Sequence, residues 1–248
     1  MKPIQPLIAA ISLLLVAPLS WAETSPEESA GFGEISCLVE PGRQAILSTQ
    51  IPGVIDELLV RAGDEVEAGQ ALFRQVQDIE RASVTLEGAR AEYAGRRLQR
   101  NQRLIEQGML SDSERDELDT ELRLARMQVG LANAQLSQRS NAAPFDGLVA
   151  SLEAEEGEYI DATPVLELVQ LDPLRIEAVL PLPAYGRLEI GDRIDVNLHA
   201  PVDETTTAEV ERIDGVIDPS SGTFGVGLLL ANPDGEIPAG INCSLLGG

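Results

Sequence analysis

Two stretches of the chain repeat each other at a constant offset of 94 residues. Residues 53–72 and 147–166 align without a gap, and both are short apolar segments broken by turn residues, which is typical of a small β-module. The matched pairs are Gly53/Gly147, Leu58/Leu152, Gly63/Gly157, Val66/Ile160, Ala68/Ala162 and Leu72/Leu166. The repeat predicts one module divided into two halves, with a long segment inserted between them.

The inserted segment, residues 76–142, is predicted to be an α-helical hairpin. It lacks Pro and is dominated by Ala, Leu, Gln, Glu and Arg, which favour helices. Its second half predicts an apolar seam of alternating four- and three-residue spacing, formed by Leu118, Leu122, Ala125, Val129, Ala132 and Leu136. Its first half predicts a matching stripe, Ile79, Ala82, Leu86, Ala89 and Tyr93, which slips by one residue to Ala94, Leu98, Asn101 and Ile105.

A turn is predicted between the two helices. Gly108 suits a C-terminal cap, and Ser111 or Asp112 suits the next N-cap, with Glu114 placed for a capping box. Beyond the second repeat copy, short alternating strands punctuated by Gly, Pro and Asp indicate a small β-barrel.

The first residues of the chain carry a predicted secretory signal. Lys2 precedes an apolar run, and Ser20-Trp21-Ala22 ends it with small residues at the cleavage spacing. An uncleaved membrane anchor is the alternative interpretation. Residues 23–32 are predicted to be a flexible tail, so the mature chain is expected to be exported.

The charge of the chain is −23 and is unevenly distributed. Residues 74–139 hold equal numbers of Arg and acidic side chains, whereas the β-rich parts are strongly acidic. Acidic surfaces argue against nucleic acid and against an anionic membrane surface as partners. The lone His199 has no metal-spaced Cys or His neighbours, and no nucleophile–base or phosphate-loop motif is present. No catalytic residue, cofactor site or metal site is therefore predicted.

The two cysteines lie near opposite ends of the predicted mature chain. An exported compartment permits a disulfide between Cys37 and Cys243, and two buried thiols are the alternative. The sequence alone leaves both interpretations open.

The two repeat copies resemble the halves of biotinyl and lipoyl carrier domains. Such carriers attach their cofactor to a lysine, and the sequence has none after Lys2, so a carrier function is excluded for the cleaved protein. With the hairpin and the barrel, the chain from about residue 33 to 245 resembles the periplasmic adaptor, or membrane fusion protein, family (HlyD-like) of tripartite efflux systems. The matching motifs are residues 54–66, 143–147, 171–176, 217–224, 232–235 and 238–240.

The resemblance extends to the predicted tip of the hairpin. Family members that dock on TolC-type outer-membrane channels carry Arg-x3-Leu-x6-Ser across the turn, and Arg100, Leu104 and Ser111 have this spacing. Arg100 and Leu104 would share a helical face. The resemblance implies that these three residues contact the channel. Alternatively, Arg100 is a solvated charge, Leu104 packs in the seam and Ser111 is only a cap.

The resemblance also has two consequences at the ends of the chain. Many members carry a further membrane-proximal domain, which is expected to be absent here. Cys37 and Cys243 would then lie on the first and last barrel strands, and we hypothesise that they form a disulfide that closes the barrel.

The predicted architecture is an elongated α+β fold with a split lipoyl-like β-sandwich, an antiparallel coiled-coil hairpin and a small β-barrel. The predicted limits are 1–22 for the signal peptide, 23–32 for the tail, 33–48 with 171–248 for the barrel, 49–75 with 143–170 for the sandwich, and 76–142 for the hairpin.

The predicted function is that of a non-enzymatic periplasmic adaptor that links an inner-membrane transporter to a TolC-type channel and self-associates into a ring or tube. A resistance-nodulation-division transporter is the first expectation. The alternatives are an adaptor of an ABC-type exporter and a stand-alone periplasmic scaffold or binding module.

Overall fold

A computed structural model describes residues 34–246, so the predicted signal peptide and the whole of the predicted tail lie outside the described residues. The fold is α+β, as predicted. Helix α1 spans Asp78–Glu106 and α2 spans Asp112–Ser137. The strands are β1 (Glu34–Glu40), β2 (Arg43–Ser48), β3 (Gly53–Leu58), β4 (Glu65–Val66), β5 (Ala71–Gln75), β6 (Ser140–Ala142), β7 (Gly147–Leu152), β8 (Tyr159–Ile160), β9 (Pro164–Gln170), β10 (Leu174–Pro181), β11 (Arg193–Leu198), β12 (Thr205–Ile213), β13 (Thr223–Leu230) and β14 (Asn242–Leu246).

Six strands form a closed barrel in the order β1-β10-β13-β12-β11-β14. Alternate residues of each strand point inward, as the two-residue period of a strand requires. On β10 these are Leu174, Ile176, Ala178 and Leu180, all buried in the barrel core. Closure of the sheet means that every barrel strand has two neighbours and no edge is left open.

The two repeat copies combine into one sandwich of two four-stranded sheets, β2-β9-β7-β4 and β6-β5-β3-β8. Each copy contributes strands to both sheets. Gly53 pairs with Ile160, and the equivalent pair under the 94-residue offset is Gly147 with Val66. The backbone bonds repeat the same relation, since Ile55 N donates to Glu158 O as Val149 N donates to Asp64 O, both at 2.9 Å. The predicted joining of the two halves is confirmed.

The hairpin is formed by α1 and α2, which pack against each other along their length. On α2 the predicted seam is confirmed, because Leu118, Ala125 and Ala132 are buried against α1. Glycine at the end of α1 allows the tight turn, since Gly108 has a φ of 66°. Neither helix of residues 34–246 has the length and apolar content needed to cross a bilayer.

The predicted seam on the first half of α1 is wrong. Ile79, Leu86 and Tyr93 are 83%, 52% and 54% exposed. The face of α1 that turns toward α2 instead follows an unbroken alternation of four- and three-residue steps, at Glu80, Val84, Glu87, Ala91, Ala94, Leu98, Asn101 and Ile105, all buried or half-buried. Charged and small residues at these positions concealed the seam, and the larger apolar side chains lie on an open side of the hairpin.

Two predicted domain limits also differ from the structure. Strand β2, predicted to belong to the barrel, pairs with β9 in the sandwich. Its Ala45 and Leu47 pack against the sandwich core, and the Arg43 guanidinium lies 4.2 Å from the ring centroid of Phe145. The chain therefore passes from barrel to sandwich at Pro41-Gly42. Strand β6, predicted to belong to the hairpin, pairs with β5 in the sandwich.

Candidate functional site: the tip and base of the hairpin

The tip of the hairpin is held by local hydrogen bonds. Met109 N donates to Leu104 O at 2.8 Å, which folds the turn back onto the last turn of α1. Ser111 then begins α2 as its N-cap, and its hydroxyl accepts from Glu114 N at 3.3 Å. The carboxylate of Glu114 accepts in return from Ser111 N at 2.9 Å, which completes the predicted capping box.

The capping box changes the acidity of Glu114. Hydrogen bonds from the side chain and the backbone of Ser111 lower the pKa of the Glu114 carboxyl below its ordinary value, because they stabilise the ionised form. The Ser111 hydroxyl is therefore already engaged within the chain. Any channel contact would have to share it or use its remaining hydrogen-bonding capacity.

Arg100 and Leu104 lie on one exposed face of α1 near the tip. Leu104 is 40% exposed, and the seam residues nearest to it are Asn101 and Ile105, so seam packing does not explain Leu104. Within residues 34–246, no ion pair involves Arg100. Met109, which the sequence analysis did not single out, is 68% exposed beside the same turn. Its position in the predicted turn was the signal that could have identified it.

The base of the hairpin is joined to the sandwich by Arg139. Its Nε and Nη2 both donate to Oε1 of Glu80, at 2.9 and 2.8 Å, and its Nη1 donates to Pro52 O at 3.0 Å. One guanidinium thus connects the first turn of α1, the segment after α2 and the sandwich. The side chains of Arg139 and Glu80 are only 21% and 17% exposed. We call the Arg139–Glu80–Pro52 contact the base clamp.

A buried glutamine and a glycine complete this junction. Gln75 is fully buried and donates to Ile51 O at 2.9 Å. A Cβ on Gly53 would lie 2.7 Å from Arg139 Nη1 and 2.9 Å from Gln75 Nε2, closer than real Cβ contacts. Glycine at position 53 therefore leaves room for both side chains, which explains one of the glycines that define the repeat.

Cys37 and Cys243 are direct neighbours in the antiparallel pairing of β1 with β14. Their Cα atoms are 4.8 Å apart, and the Sγ atoms are joined at 2.05 Å. The two strands are the first and last of the barrel, as the sequence analysis expected. That the bond forms in the exported protein is a prediction, and its test is given in the Discussion.

The lone histidine belongs to the barrel wall. His199 Nε2 lies 2.7 Å from Ser244 Oγ, which links the end of β11 to β14. Among residues 34–246, no group of three or more His, Cys, Asp or Glu side chains is arranged to hold a metal ion.

The arrangement of barrel, sandwich and hairpin is shared with solved structures. A chimera of MacA and MexA that contains the α-hairpin domain of Pseudomonas aeruginosa MexA matches with a TM-score of 0.75 and 16% identity, over 86% of this chain and 79% of that one. The membrane fusion protein Spr0693 of Streptococcus pneumoniae matches with a TM-score of 0.70 and 15% identity, over 87% and 98% of the two chains. The chain has the fold of the membrane fusion proteins.

The resemblance to this fold noted in the sequence is thereby confirmed. At the sequence level, the chain is 29% identical over 216 residues to the nodulation protein NolF of Rhizobium meliloti. The chain spans only part of the curated relatives that it matches, since the alignments cover 58% and 59% of their lengths. No protein-family model matches the sequence.

Proposed function

We propose that the chain is a periplasmic adaptor of a tripartite efflux system, a non-enzymatic subunit that links an inner-membrane transporter to a TolC-type outer-membrane channel. Its membrane fusion protein fold supports this role. The protein would reach the periplasm by a cleavable signal peptide, and copies would assemble into a ring or tube around the transported small molecule.

The observation that carries the proposal is the way in which the sandwich holds the hairpin. Both ends of the inserted segment are fixed in one β-unit, and the base clamp ties the first turn of α1 to it. Helix α1 has 29 residues, so the tip is held about 43 Å from this base. A stiff rod with Arg100, Leu104 and Met109 exposed at its far end is suited to contact a partner at a distance.

The channel contact is tested by reversing one charge. Each variant is expressed in cells that lack the native gene. Arg100→Asp is expected to abolish both the capture of a TolC-type channel and export by these cells. Arg81→Asp is the matched control, because Arg81 is exposed on the same helix about 28 Å from Arg100. Equal export by the two variants would refute docking through Arg100.

Ser111 requires two variants, because its hydroxyl also caps α2. Ser111→Asn keeps an N-cap acceptor, whereas Ser111→Ala removes it. If the hydroxyl contacts the channel, both variants lose capture. If Ser111 acts only as a cap, Ser111→Asn retains capture and only Ser111→Ala is weakened, which would remove Ser111 from the proposed contact.

The class of transporter is tested by the energy source of export. With a resistance-nodulation-division transporter, dye export that depends on this chain should stop when an uncoupler collapses the proton gradient. With an ABC-type exporter, export should instead stop when ATP is depleted or vanadate is added. The first result is expected, and the second would assign the chain to the alternative.

A periplasmic scaffold or cation-binding module is the second candidate function. One observation favours it: a cleft between sandwich and barrel is lined by Glu65, Glu67, Asp146, Asp172 and Asp234, with no Arg, Lys or His in the lining. Under this function Arg100→Asp would leave activity unchanged, and reversing these carboxylates would abolish it.

A further inference from the structure

One side of the hairpin carries large apolar side chains that nothing in the described chain covers. Leu86 and Tyr93 of α1 are 52% and 54% exposed, and Leu124 and Leu131 of α2 are 54% and 61% exposed. Leu86, Tyr93 and Leu124 line one groove between the helices, and Leu131 lies seven residues after Leu124 on the same face. We call these four residues the bulky side. A contiguous apolar surface of this kind indicates an interaction site.

The four residues form two tiers. Gly95 faces Leu122 across the hairpin, since a Cβ on Gly95 would lie 3.7 Å from Leu122 Cδ1. Counted toward the base of the hairpin, Tyr93 is two residues from Gly95 and Leu124 is two residues from Leu122. Leu86 and Leu131 are each nine residues from the same reference residues. The two members of each tier therefore lie at the same level, that is, at the same height along the hairpin axis. The tiers are seven residues, or about 10 Å, apart along the axis.

The opposite side of the hairpin carries glycines at the same levels. Gly95 lies one helical turn before Leu98, which lines a groove on that side with Leu122 and Arg126. Gly88 is seven residues before Gly95, and Gly130 is four residues after Arg126, so both share this side. We call Gly88, Gly95 and Gly130 the glycine side.

The glycine side has room for inserted side chains. No atom lies within 4 Å of a Cβ built on Gly88 or on Gly130. Along the hairpin axis, Gly88 and Gly130 are seven and eight residues from the Gly95–Leu122 reference pair, whereas Leu86 and Leu131 are nine residues from it. The two glycines therefore lie within about 3 Å of the level of the tier formed by Leu86 and Leu131. The tier formed by Tyr93 and Leu124 has Gly95 at its level.

The balance of charges on α2 also differs in sign between the two sides, because Arg123 and Arg126 line the groove of the glycine side with Asp119 as its one acid. Glu117 lies one turn before Glu121, which lines the groove of the bulky side. Arg115 lies one turn before Asp119 of the opposite groove and contacts it at 3.9 Å. Glu117 and Arg115 are two residues apart in level, so an acid on one side is matched by a base on the other.

We infer that the bulky side of one hairpin packs into the glycine side of a second copy of this chain. Leu86 and Tyr93 of one α1 lie over Gly88 and Gly95 of the neighbouring α1, and Glu117 meets the neighbour's Arg115. The interface is heterologous, because two different surfaces meet. Since the tiers and the glycines share their levels, successive copies need no shift along the rod, which allows a closed ring instead of a filament. This inference specifies the self-association in the proposed function and rests on it.

The interface is tested by disulfide trapping between two differently altered chains. A Leu86→Cys chain mixed with a Gly88→Cys chain should give a cross-linked dimer under mild oxidation, because the two positions meet across the interface. Each chain alone should not cross-link. Gly88→Cys with Glu92→Cys is the matched control, because Glu92 is exposed one helical turn after Gly88, and two glycine sides do not meet in this interface. Cross-linking of Leu86→Cys with itself would reveal a face-to-face dimer and overturn the inference.

A second variant fills the glycine side without disturbing the monomer. Gly88→Leu places a side chain in open space and replaces a poor helix former, so the unfolding midpoint should not fall. Self-association in sedimentation experiments should nevertheless weaken at least tenfold. Thr85→Leu is the control, because Thr85 is exposed and lies about 60° from Gly88 around the helix, toward its outer face; this variant should keep most of the wild-type self-association.

The two proposals fail in different ways. Unchanged assembly of Gly88→Leu, or a wild-type chain that stays monomeric and gives no mixed cross-link, would overturn the interface and leave the adaptor function standing if export still depends on the gene. If deletion of the gene leaves export unchanged, the adaptor function fails, while a mixed cross-link would still support the interface.

Discussion

The base clamp should make a larger contribution to stability than the surface ion pairs of the same hairpin. Arg139 donates two bonds to one carboxylate oxygen of Glu80, and both side chains are about four-fifths buried. Hydrogen bonds to charged groups contribute about 1.5–3 kcal/mol in such positions. Arg139→Met should destabilise the chain by about 2–4 kcal/mol, because it leaves the largely buried Glu80 carboxylate without its partner.

A double-mutant cycle isolates the Arg139–Glu80 interaction. Arg139→Met, Glu80→Met and the double variant are unfolded in urea and followed by far-ultraviolet circular dichroism. The bond from Arg139 to Pro52 O is lost in both variants that lack Arg139, so it cancels in the cycle. The coupling free energy is expected to be about 1.5–3 kcal/mol.

The matched control is the pair formed by Arg96 and Glu92, an i, i+4 pair on the same helix. Its side chains are 52% and 68% exposed, and exposed helix pairs contribute about 0.3–0.5 kcal/mol. A coupling for Arg139 and Glu80 no larger than that of the control would refute the reasoning. The hairpin would then be held at its base by packing alone.

Three further predictions concern the barrel and the tip. If Cys37 and Cys243 are bonded, the bridge closes a loop with a sequence separation of 206 residues. Reduction of the bridge should then lower the free energy of unfolding by about 5 kcal/mol at most. Two free thiols in the denatured, unreduced protein would contradict the bond. Because the pKa of Glu114 is lowered, its capping bonds stabilise the fold at pH values above the ordinary Glu pKa, and this stabilisation is lost as the pH falls through the lowered pKa. Ser111→Ala should raise the Glu114 pKa toward its ordinary value in an NMR titration. An unchanged Glu114 pKa would refute Ser111 as the cause. Asn232→Asp should cost about 2–4 kcal/mol in urea unfolding, because the buried amide donates to two backbone carbonyls that a carboxylate would repel. A loss below about 1 kcal/mol would show that these bonds are replaceable.

The 94-residue repeat was sufficient to predict the sandwich. Equivalent residues in the two copies occupy equivalent places, as the pairs Gly53 with Ile160 and Gly147 with Val66 show. The seam of α2 could also be predicted from the sequence, because apolar residues recur there at regular spacings of four and three residues. These features depend on local periodicity and on self-similarity, and both are visible in one sequence.

The α1 seam was misread because size and burial do not coincide on that helix. Leu86 and Tyr93 suggested a core face, whereas the buried face carries Ala94 and the charged Glu80 and Glu87. Glu80 is tolerated there because Arg139, 59 residues later, neutralises it. Such a pairing depends on tertiary structure and leaves no local pattern. The same applies to β2, whose assignment to the sandwich depends on its pairing with β9.

The split sandwich has a consequence for how the reach of the molecule can change. Because strands from the two halves pair directly with each other, the platform is complete without any contribution from the outer turns of the hairpin. Matched removal or addition of seven residues in each helix would shorten or lengthen the rod by about 10 Å and preserve the seam. The length of the hairpin, and with it the distance that the molecule can bridge, can therefore vary while the sandwich at its base stays the same.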